Sequence, residues 1–280
     1  MNCYLCGSSN FKKRSGEVRD NPVLDVIECQ DCGLVTLSSF EHITENFYSD
    51  SKMHGNNPLP VKDWQKETDW DDQRRFDYLK SLITNKEILD FGCGASGFLK
   101  KASMVSDKVK GVEAEIRIRS EIGDSLSIFS CLEELKNNKF DVITSFHVLE
   151  HLKDPINNLK KLAALLKNDG QLIVEVPNSD DALITLYESK NFQKFYWSQH
   201  LFLFNTSTLA AIAKKAGLKV KAIIQYQRYP LSNHLHWLAK GQPAGHEVWG
   251  FIGNKELDNM YGNALGKMGR CDTIIAHLTL

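Results

Sequence analysis

From residue 87 onward, short apolar runs alternate with longer segments of helical spacing. The runs at 88–91, 109–113, 127–129, 140–146 and 171–176 each read as a strand, because a brief apolar stretch closed by turn residues suits a strand buried on both faces. The last of these follows a turn predicted at Asn168-Asp169-Gly170 and stops at Pro177-Asn178. Helices are predicted from 98, over 147–166 and over 206–216, the last with Gly217 as its C-terminal cap. Runs at 218–226 and 273–280 bring the strands to seven. This order predicts an α/β fold with a mostly parallel sheet covered on both sides. Upstream, 68–82 predicts a helix with Trp70, Phe76, Leu79 and Leu82 on one face and Thr68 as N-cap. Asp69, Asp71 and Asp72 would then face the positive end of its dipole. Asn56-Asn57-Pro58 and Pro60 break the polar stretch before it. Three parts follow: 1–42, a helical connection or lid at 43–85, and a large domain at 86–280 with an insertion at about 229–270.

Composition and charge narrow the picture. With 42 % hydrophobic and 25 % charged residues, the 280-residue chain is ordinary globular protein, not a disordered or fibrous one. Lys plus Arg number 34 against 35 Asp plus Glu, so the chain lacks the positive field that carries non-specific nucleic-acid binding. No apolar run approaches the ~18–20 residues that cross a bilayer, and the first residues do not read as a secretory signal. A cytoplasmic protein is expected, a reducing setting in which clustered cysteines among the seven bind metal rather than form disulfides.

The N-terminal part carries the strongest local signal, the pairs Cys3-x-x-Cys6 and Cys29-x-x-Cys32, each followed by glycine. Two such turns aim four thiolates at one point and complete a tetrahedral zinc shell, as in a zinc ribbon. Four protein ligands leave no open position, so the ion is structural. Lys12, Lys13, Arg14 and Arg19 are outnumbered there by acids, which disfavours a nucleic-acid role.

Asp90-Phe91-Gly92-Cys93-Gly94-Ala95-Ser96-Gly97 lies between a predicted strand and helix, where open α/β sheets bind ligands. Its glycines allow a sharp turn and close approach of backbone to ligand. Alone, the spacing also fits a dinucleotide. Asp90 ahead of the loop and Glu113 at the end of the next strand favour S-adenosylmethionine: the first suits its cationic amino-acid end, the second both ribose hydroxyls.

With these residues the chain resembles the class I S-adenosylmethionine-dependent methyltransferases over about residues 75–226. The resemblance rests on the linked motifs Ile88-Leu89-Asp90-Phe91-Gly92-Cys93-Gly94, Gly111-Val112-Glu113, Phe140-Asp141-Val142-Ile143, His147-Val148-Leu149-Glu150-His151 and Leu165-Leu166-Lys167-Asn168-Asp169-Gly170. It implies a Rossmann-like sheet and a cofactor held by Asp90, Gly92, Cys93, Gly94, Gly97, Glu113 and Phe146. Many members place an acid after the third strand to hold the adenine amine; this chain has Ser130-Cys131-Leu132, so backbone groups or Ser130 are expected there. Cys93, Cys131 and Cys271 also read as small apolar fillers. The leading ribbon resembles methyltransferases of bacterial surface-polysaccharide and natural-product sugar pathways. C-methylating members carry a further large domain after the sheet, which the residues given do not contain, and O-methylation of a sugar or sugar nucleotide is therefore expected.

His147, Glu150 and His151 follow the fourth strand, and within the predicted helix their i, i+3, i+4 spacing puts them on one face. Three readings fit: one histidine, His147 first, as general base; a divalent ion on the trio with His200; or a purely structural set. Phe195-Tyr196-Trp197, Arg228, Tyr229, His234, His236 and His246 are candidates for the acceptor pocket, and the insertion suits a surface or a contact between two copies equally. The competing classes are a zinc-ribbon RNA methyltransferase, a dinucleotide-dependent enzyme and a binding module without turnover.

Overall fold

The computed structural model describes residues 1–44, 46–51, 58–122 and 126–280, the Phe195 side chain excepted. The expected break at Asn56-Asn57 lies outside these residues. Seven strands form one sheet: β4 (Glu87–Phe91), β5 (Lys108–Val112), β6 (Ser127–Phe129), β7 (Phe140–Phe146), β8 (Leu166–Pro177), β10 (Lys219–Tyr226) and β11 (Thr273–Thr279). Their order is β10-β11-β8-β7-β4-β5-β6. Neighbours from β8 to β6 are parallel, and β11 runs antiparallel to both of its partners. The chain enters at β4, builds outward to β6 and returns on the other side at β7. The crevice between the ends of β4 and β7 is thus the topological switch point at which such sheets bind ligands.

Ile88, Leu89, Ile143, Leu172, Ile173, Val174 and Ile274 are fully buried, which is why the strands read as apolar runs. Helices α2 (Gly97–Ala102), α3 (Ile116–Ile122), α4 (Pro155–Ala164) and α6 (Thr206–Lys215) flank the sheet, and α7 (Leu231–Lys240), α8 (Gly245–Val248) and α9 (Lys255–Lys267) precede β11. A short α5 (Ala182–Thr185) follows β8. The N-terminal residues form β1 (Phe11–Lys13), β2 (Val26–Cys29) and β3 (Val35–Leu37), an antiparallel sheet that β9 (Phe202–Leu203) extends.

Three expectations fail locally. Residues 147–166 are not one helix: a 3-10 turn at Leu149–His151 ends in extended Leu152, and α4 begins anew with Asp154 as N-cap and Pro155 at its first turn. Proline fits a helix start but biases the residue before it away from helical backbone. The upstream helix, α1, spans Val61–Ile83 with Pro60 as N-cap. Thr68 lies inside it, its hydroxyl donating to the Trp64 carbonyl and to Asp72. Trp70 is 46 % exposed, while Phe76, Leu79 and Ile83 are buried. Finally, the turn expected at 168–170 lies within a strand: β8 already pairs at Leu166 with Phe140, and residues 167–170 bulge out before pairing resumes at Gln171 opposite Val142.

Candidate functional site

The loop after β4 turns with Gly92 at φ 74°, Gly94 at 48° and Ser96 at 62°. Gly92 needs both its freedom and its size, since a Cβ there would lie 2.3 Å from Val148 Cγ2. At Gly97 a Cβ would lie 2.1 Å from Asp72 Oδ2, so α1 docks directly on the start of α2. These loops wall a cavity of about 580 Å³. Every residue expected to hold the cofactor lines it: Asp90, Gly92, Cys93, Gly94, Gly97, Glu113, Ser130, Cys131, Leu132 and Phe146. Glu113 Oε2 accepts the Gly94 N–H at 2.8 Å and Oε1 the Glu115 N–H at 2.9 Å, which leaves each oxygen a lone pair for a ligand. Asp90 accepts the Thr144 hydroxyl at 2.7 Å, and burial pushes its pKa up to about 7. Ser130 is engaged otherwise: its N–H and its hydroxyl both donate to Glu134.

His147, His151 and His200 reach the same cavity, and Glu150 stands fully buried behind its wall. The three partners expected on one helical face converge by another route. His147 adopts φ 53°, rare for a side-chain-bearing residue, and donates from Nδ1 to Glu150 Oε1 at 3.2 Å. Its Nε2 lies 3.2 Å from Glu175 Oε1, outside hydrogen-bond geometry. Burial and Arg228 push His147 down, but the carboxylates of Glu150 and Glu175 outweigh them and raise its pKa. His151 donates from Nδ1 to the Gln199 carbonyl at 3.0 Å, which leaves the Nε2 lone pair 4.0 Å from Glu150 Oε1. Burial holds the His151 pKa below its usual value and, with His151 beside it, lowers His200 to about 3. Burial raises Glu150, but the His147 hydrogen bond and the surrounding imidazoles outweigh it and hold the carboxylate at about 2.

Sequence reasoning missed a buried ion network beside this group. Asp71, Arg74 and Arg75 of α1 meet Glu175 at the end of β8: Arg74 reaches its two oxygens at 2.8 and 3.0 Å, and Arg75 reaches Oε1 at 2.8 Å. Arg74 and Arg228 each bond Asp71 at 2.6 Å. Asp71, His147 and Glu175 are spaced for a cation, but three guanidiniums already neutralise the two acids. The available signal was Glu175 itself, a charge inside the apolar run Leu172-Ile173-Val174-Glu175-Val176.

A second cavity, about 340 Å³, adjoins the first and shares His200 and Arg228 with it. Tyr196, Trp197, Tyr229, His234 and His246, all candidates from the sequence, line it together with Phe192, Trp237, Asp181 and Asn233. His236 is buried away from it, bonded to the Gln242 carbonyl at 2.9 Å.

In the N-terminal module the four Sγ atoms of Cys3, Cys6, Cys29 and Cys32 lie within 4.8 Å of one another, and the cysteines are free of disulfides. Cys3–Cys32 and Cys6–Cys29 are each 3.5 Å apart. Zn–S bonds of ~2.3 Å at tetrahedral angles require sulfurs about 3.8 Å apart, so the donor set fits zinc.

The seven-stranded sheet, the glycine loop at its switch point and the paired acids define a class I S-adenosylmethionine-dependent methyltransferase. Comparison with known proteins agrees. The chain belongs to the methyltransferase-domain family, whose model matches residues 59–223. It is 28 % identical to a ubiquinone biosynthesis O-methyltransferase of Haemophilus ducreyi over 51 % of its own length and 63 % of that protein's. With the enzyme of the same description from Pseudomonas putida it shares 26 % identity over 65 % of its length and 80 % of the relative's. A SAM-dependent methyltransferase of Archaeoglobus fulgidus has the same fold, with a TM-score of 0.51 at 18 % identity over 77 % of this chain and 94 % of that one. Among the described residues, no helix is long and apolar enough to cross a membrane.

Proposed function

We propose that the enzyme methylates a hydroxyl of a small, polar, ring-shaped acceptor, and that His151 takes the hydroxyl proton. Bound S-adenosylmethionine supplies the methyl on a cationic sulfur. The protein has to align an acceptor oxygen with it and remove one proton. The observation that carries this reading is the state of His151. Its Nδ1–H is committed to Gln199, its Nε2 keeps a lone pair, and the buried Glu150 carboxylate is in place to stabilise the imidazolium that forms. His147 suits the role less well, because both its nitrogens face carboxylates that favour its protonated form.

The second cavity supports the acceptor class. Trp197, Trp237 and Tyr229 offer flat apolar faces, and Asp181 and Asn233 offer planar hydrogen-bonding groups, a combination that fits a sugar or nucleotide-activated sugar. The relatives' description as O-methyltransferases supports oxygen as the accepting atom, and by the same description a ubiquinone-pathway acceptor is the second reading. A second reading of the proton step has its own observation. Glu150 Oε2 is buried without a partner, and Glu150, His151 and His200 offer three atoms within 4.8 Å of one another, a fit for a divalent ion.

The test is release of S-adenosylhomocysteine with nucleotide sugars, free sugars and a water-soluble ubiquinone-precursor analogue as acceptors. Turnover is expected with a sugar class, and turnover with the ubiquinone analogue alone would reject the sugar reading. His151→Asn should lower turnover by about 10²–10⁴-fold with cofactor affinity unchanged. Inhibition by chelator, reversed by divalent ion, would transfer the role to the metal.

A further inference from the structure

The four-cysteine module is joined to the large domain by more than a linker. Its strand β3 pairs with β9, Val35 opposite Leu203 and Thr36 opposite Phe202. The chain just ahead of β9 is held at further points. The Arg19 N–H donates to the Tyr196 carbonyl at 2.9 Å. Asp20 accepts the Ser198 N–H at 2.9 Å and the Ser198 hydroxyl at 2.8 Å. His42 bonds the Ser198 carbonyl at 2.7 Å. Beyond it, the Leu201 carbonyl accepts the Thr36 hydroxyl at 2.8 Å and the Leu37 N–H at 3.2 Å. Ser198 and Leu201 flank Gln199 and His200, so the module grips this dipeptide from both sides. The Gln199 carbonyl is the group that receives His151 Nδ1–H, and the His200 ring meets His151 edge-on at 4.9 Å. The grip begins close to the thiolates: Cys29 ends β2, its N–H donates to the Leu34 carbonyl at 2.9 Å, and β3 starts at the next residue.

We propose that the module positions the proton-accepting end of the site. Through Asp20 and Thr36 it fixes residues 198–201, so that the Gln199 carbonyl selects the Nδ1–H tautomer of His151 and leaves Nε2 open toward the cavity. A neutral imidazole has one donor and one acceptor nitrogen, and the partner of one nitrogen decides the state of the other. Thr36, on β3, and Asp20, in the connection between β1 and β2, are therefore positioning residues, and the four thiolates tie the segment before β1 to the turn that joins β2 and β3. The functional weight of this arrangement rests on the reading of His151 as base, but the tautomer is measurable without any acceptor.

The experiment uses full-length protein labelled with ¹⁵N-histidine, with the His151 signal assigned by its loss in His151→Gln. The zinc-loaded protein should show His151 protonated at Nδ1. Asp20→Ala/Thr36→Val should retain zinc and S-adenosylmethionine affinity within about twofold. It should also shift His151 to a mixture of tautomers and speed amide exchange over 198–203 by about tenfold, the scale of one lost hydrogen bond. Cys29→Ser should give the same shift with loss of zinc, and Thr36→Ser should behave as the parent. If the double variant does not fold, Thr36→Val alone should produce a smaller shift of the same sign. An unchanged tautomer and unchanged exchange would overturn the proposal, as would a parallel tenfold loss of cofactor affinity, which would mark general destabilisation. A shifted tautomer together with full turnover by His151→Gln would reject the base reading and leave the positioning intact.

Discussion

Replacing Glu113 separates two tasks that its carboxylate combines. One is internal: Oε2 holds the Gly94 N–H at 2.8 Å and Oε1 the Glu115 N–H at 2.9 Å, which fixes the glycine loop against the end of β5. The other is the external task proposed for it: the side chain lines the cavity and each oxygen keeps a lone pair that ribose hydroxyls can use. Glu113→Ala removes both. A hydrogen bond to a charged group contributes about 1.5–3 kcal/mol, so loss of one ribose contact weakens cofactor binding about 10- to 100-fold. The two orphaned amides add about 1–3 kcal/mol each to the loss of stability, unless water replaces the carboxylate. Glu113→Gln keeps one carbonyl oxygen and offers an N–H where an acceptor is needed, so it should restore part of the stability and little of the affinity. Calorimetric titration with S-adenosylmethionine and S-adenosylhomocysteine, alongside urea unfolding, reads the two tasks separately. Native stability with unchanged affinity in Glu113→Ala would refute the assignment. Equal recovery of both quantities in Glu113→Gln would show that Glu113 acts only through the loop.

Metal analysis of the purified chain should find about one zinc, because two Cys-x-x-Cys turns make a closed site, and Cys29→Ser should abolish it while cofactor affinity persists. Asp90 titrates at about 7 in the free protein, and a cationic ligand end prefers its carboxylate. Affinity for S-adenosylmethionine should therefore rise with pH through 7 and fall below it, by at most about tenfold per unit, and Asp90→Asn should flatten the profile. Glu175→Gln leaves Arg74 and Arg75 without the buried carboxylate that each contacts at 2.8 Å. Urea unfolding should show a loss of about 3 kcal/mol, the low end for a broken buried pair because Asp71 remains; a change under ~0.5 kcal/mol would mean that the network is solvated.

The strands were legible because strands buried in a parallel sheet show the same apolar face on both sides, and Phe140–Phe146 and Ser127–Phe129 stand where their runs end. The glycine loop was legible because its backbone needs residues without a Cβ. Helix α1 was only half legible. It buries few residues along its 23, so its apolar stripe is sparse, and its first turns are held by contacts that no local pattern encodes, such as Gln65 to the Ala95 carbonyl at 2.7 Å. Asp71 and Asp72 looked like first-turn acids, whereas they are buried acids about three turns into the helix, partnered by arginines and by Thr68. The β3–β9 junction was illegible for a different reason. It joins two- and three-residue strands more than 160 positions apart, and neither run is long enough to announce a strand.

The trio after β7 comes together in space by a route that its spacing did not indicate. The i, i+3, i+4 spacing suggested a helix, but a helix would have directed the His147 N–H along its own axis. Instead His147 takes φ 53°, and its N–H donates to the Glu175 carbonyl on the neighbouring strand at 2.8 Å. A left-handed residue with a side chain costs on the order of 1–3 kcal/mol and persists only where its surroundings over-determine it. Here the surroundings are explicit: Glu175 binds the His147 backbone and contacts its ring, Glu150 binds the other ring nitrogen, and Arg74 and Arg75 fix Glu175 in turn. Buried ion clusters of this kind are often no more stabilising than apolar packing. Their value at this place is directional. Planar guanidinium forks lock one carboxylate, the carboxylate locks a strained histidine, and that histidine holds Glu150 where its charge reaches His151. The cluster draws its members from α1, β8 and the chain after β10, and so ties three walls of the cavity together beside Glu150 and His151.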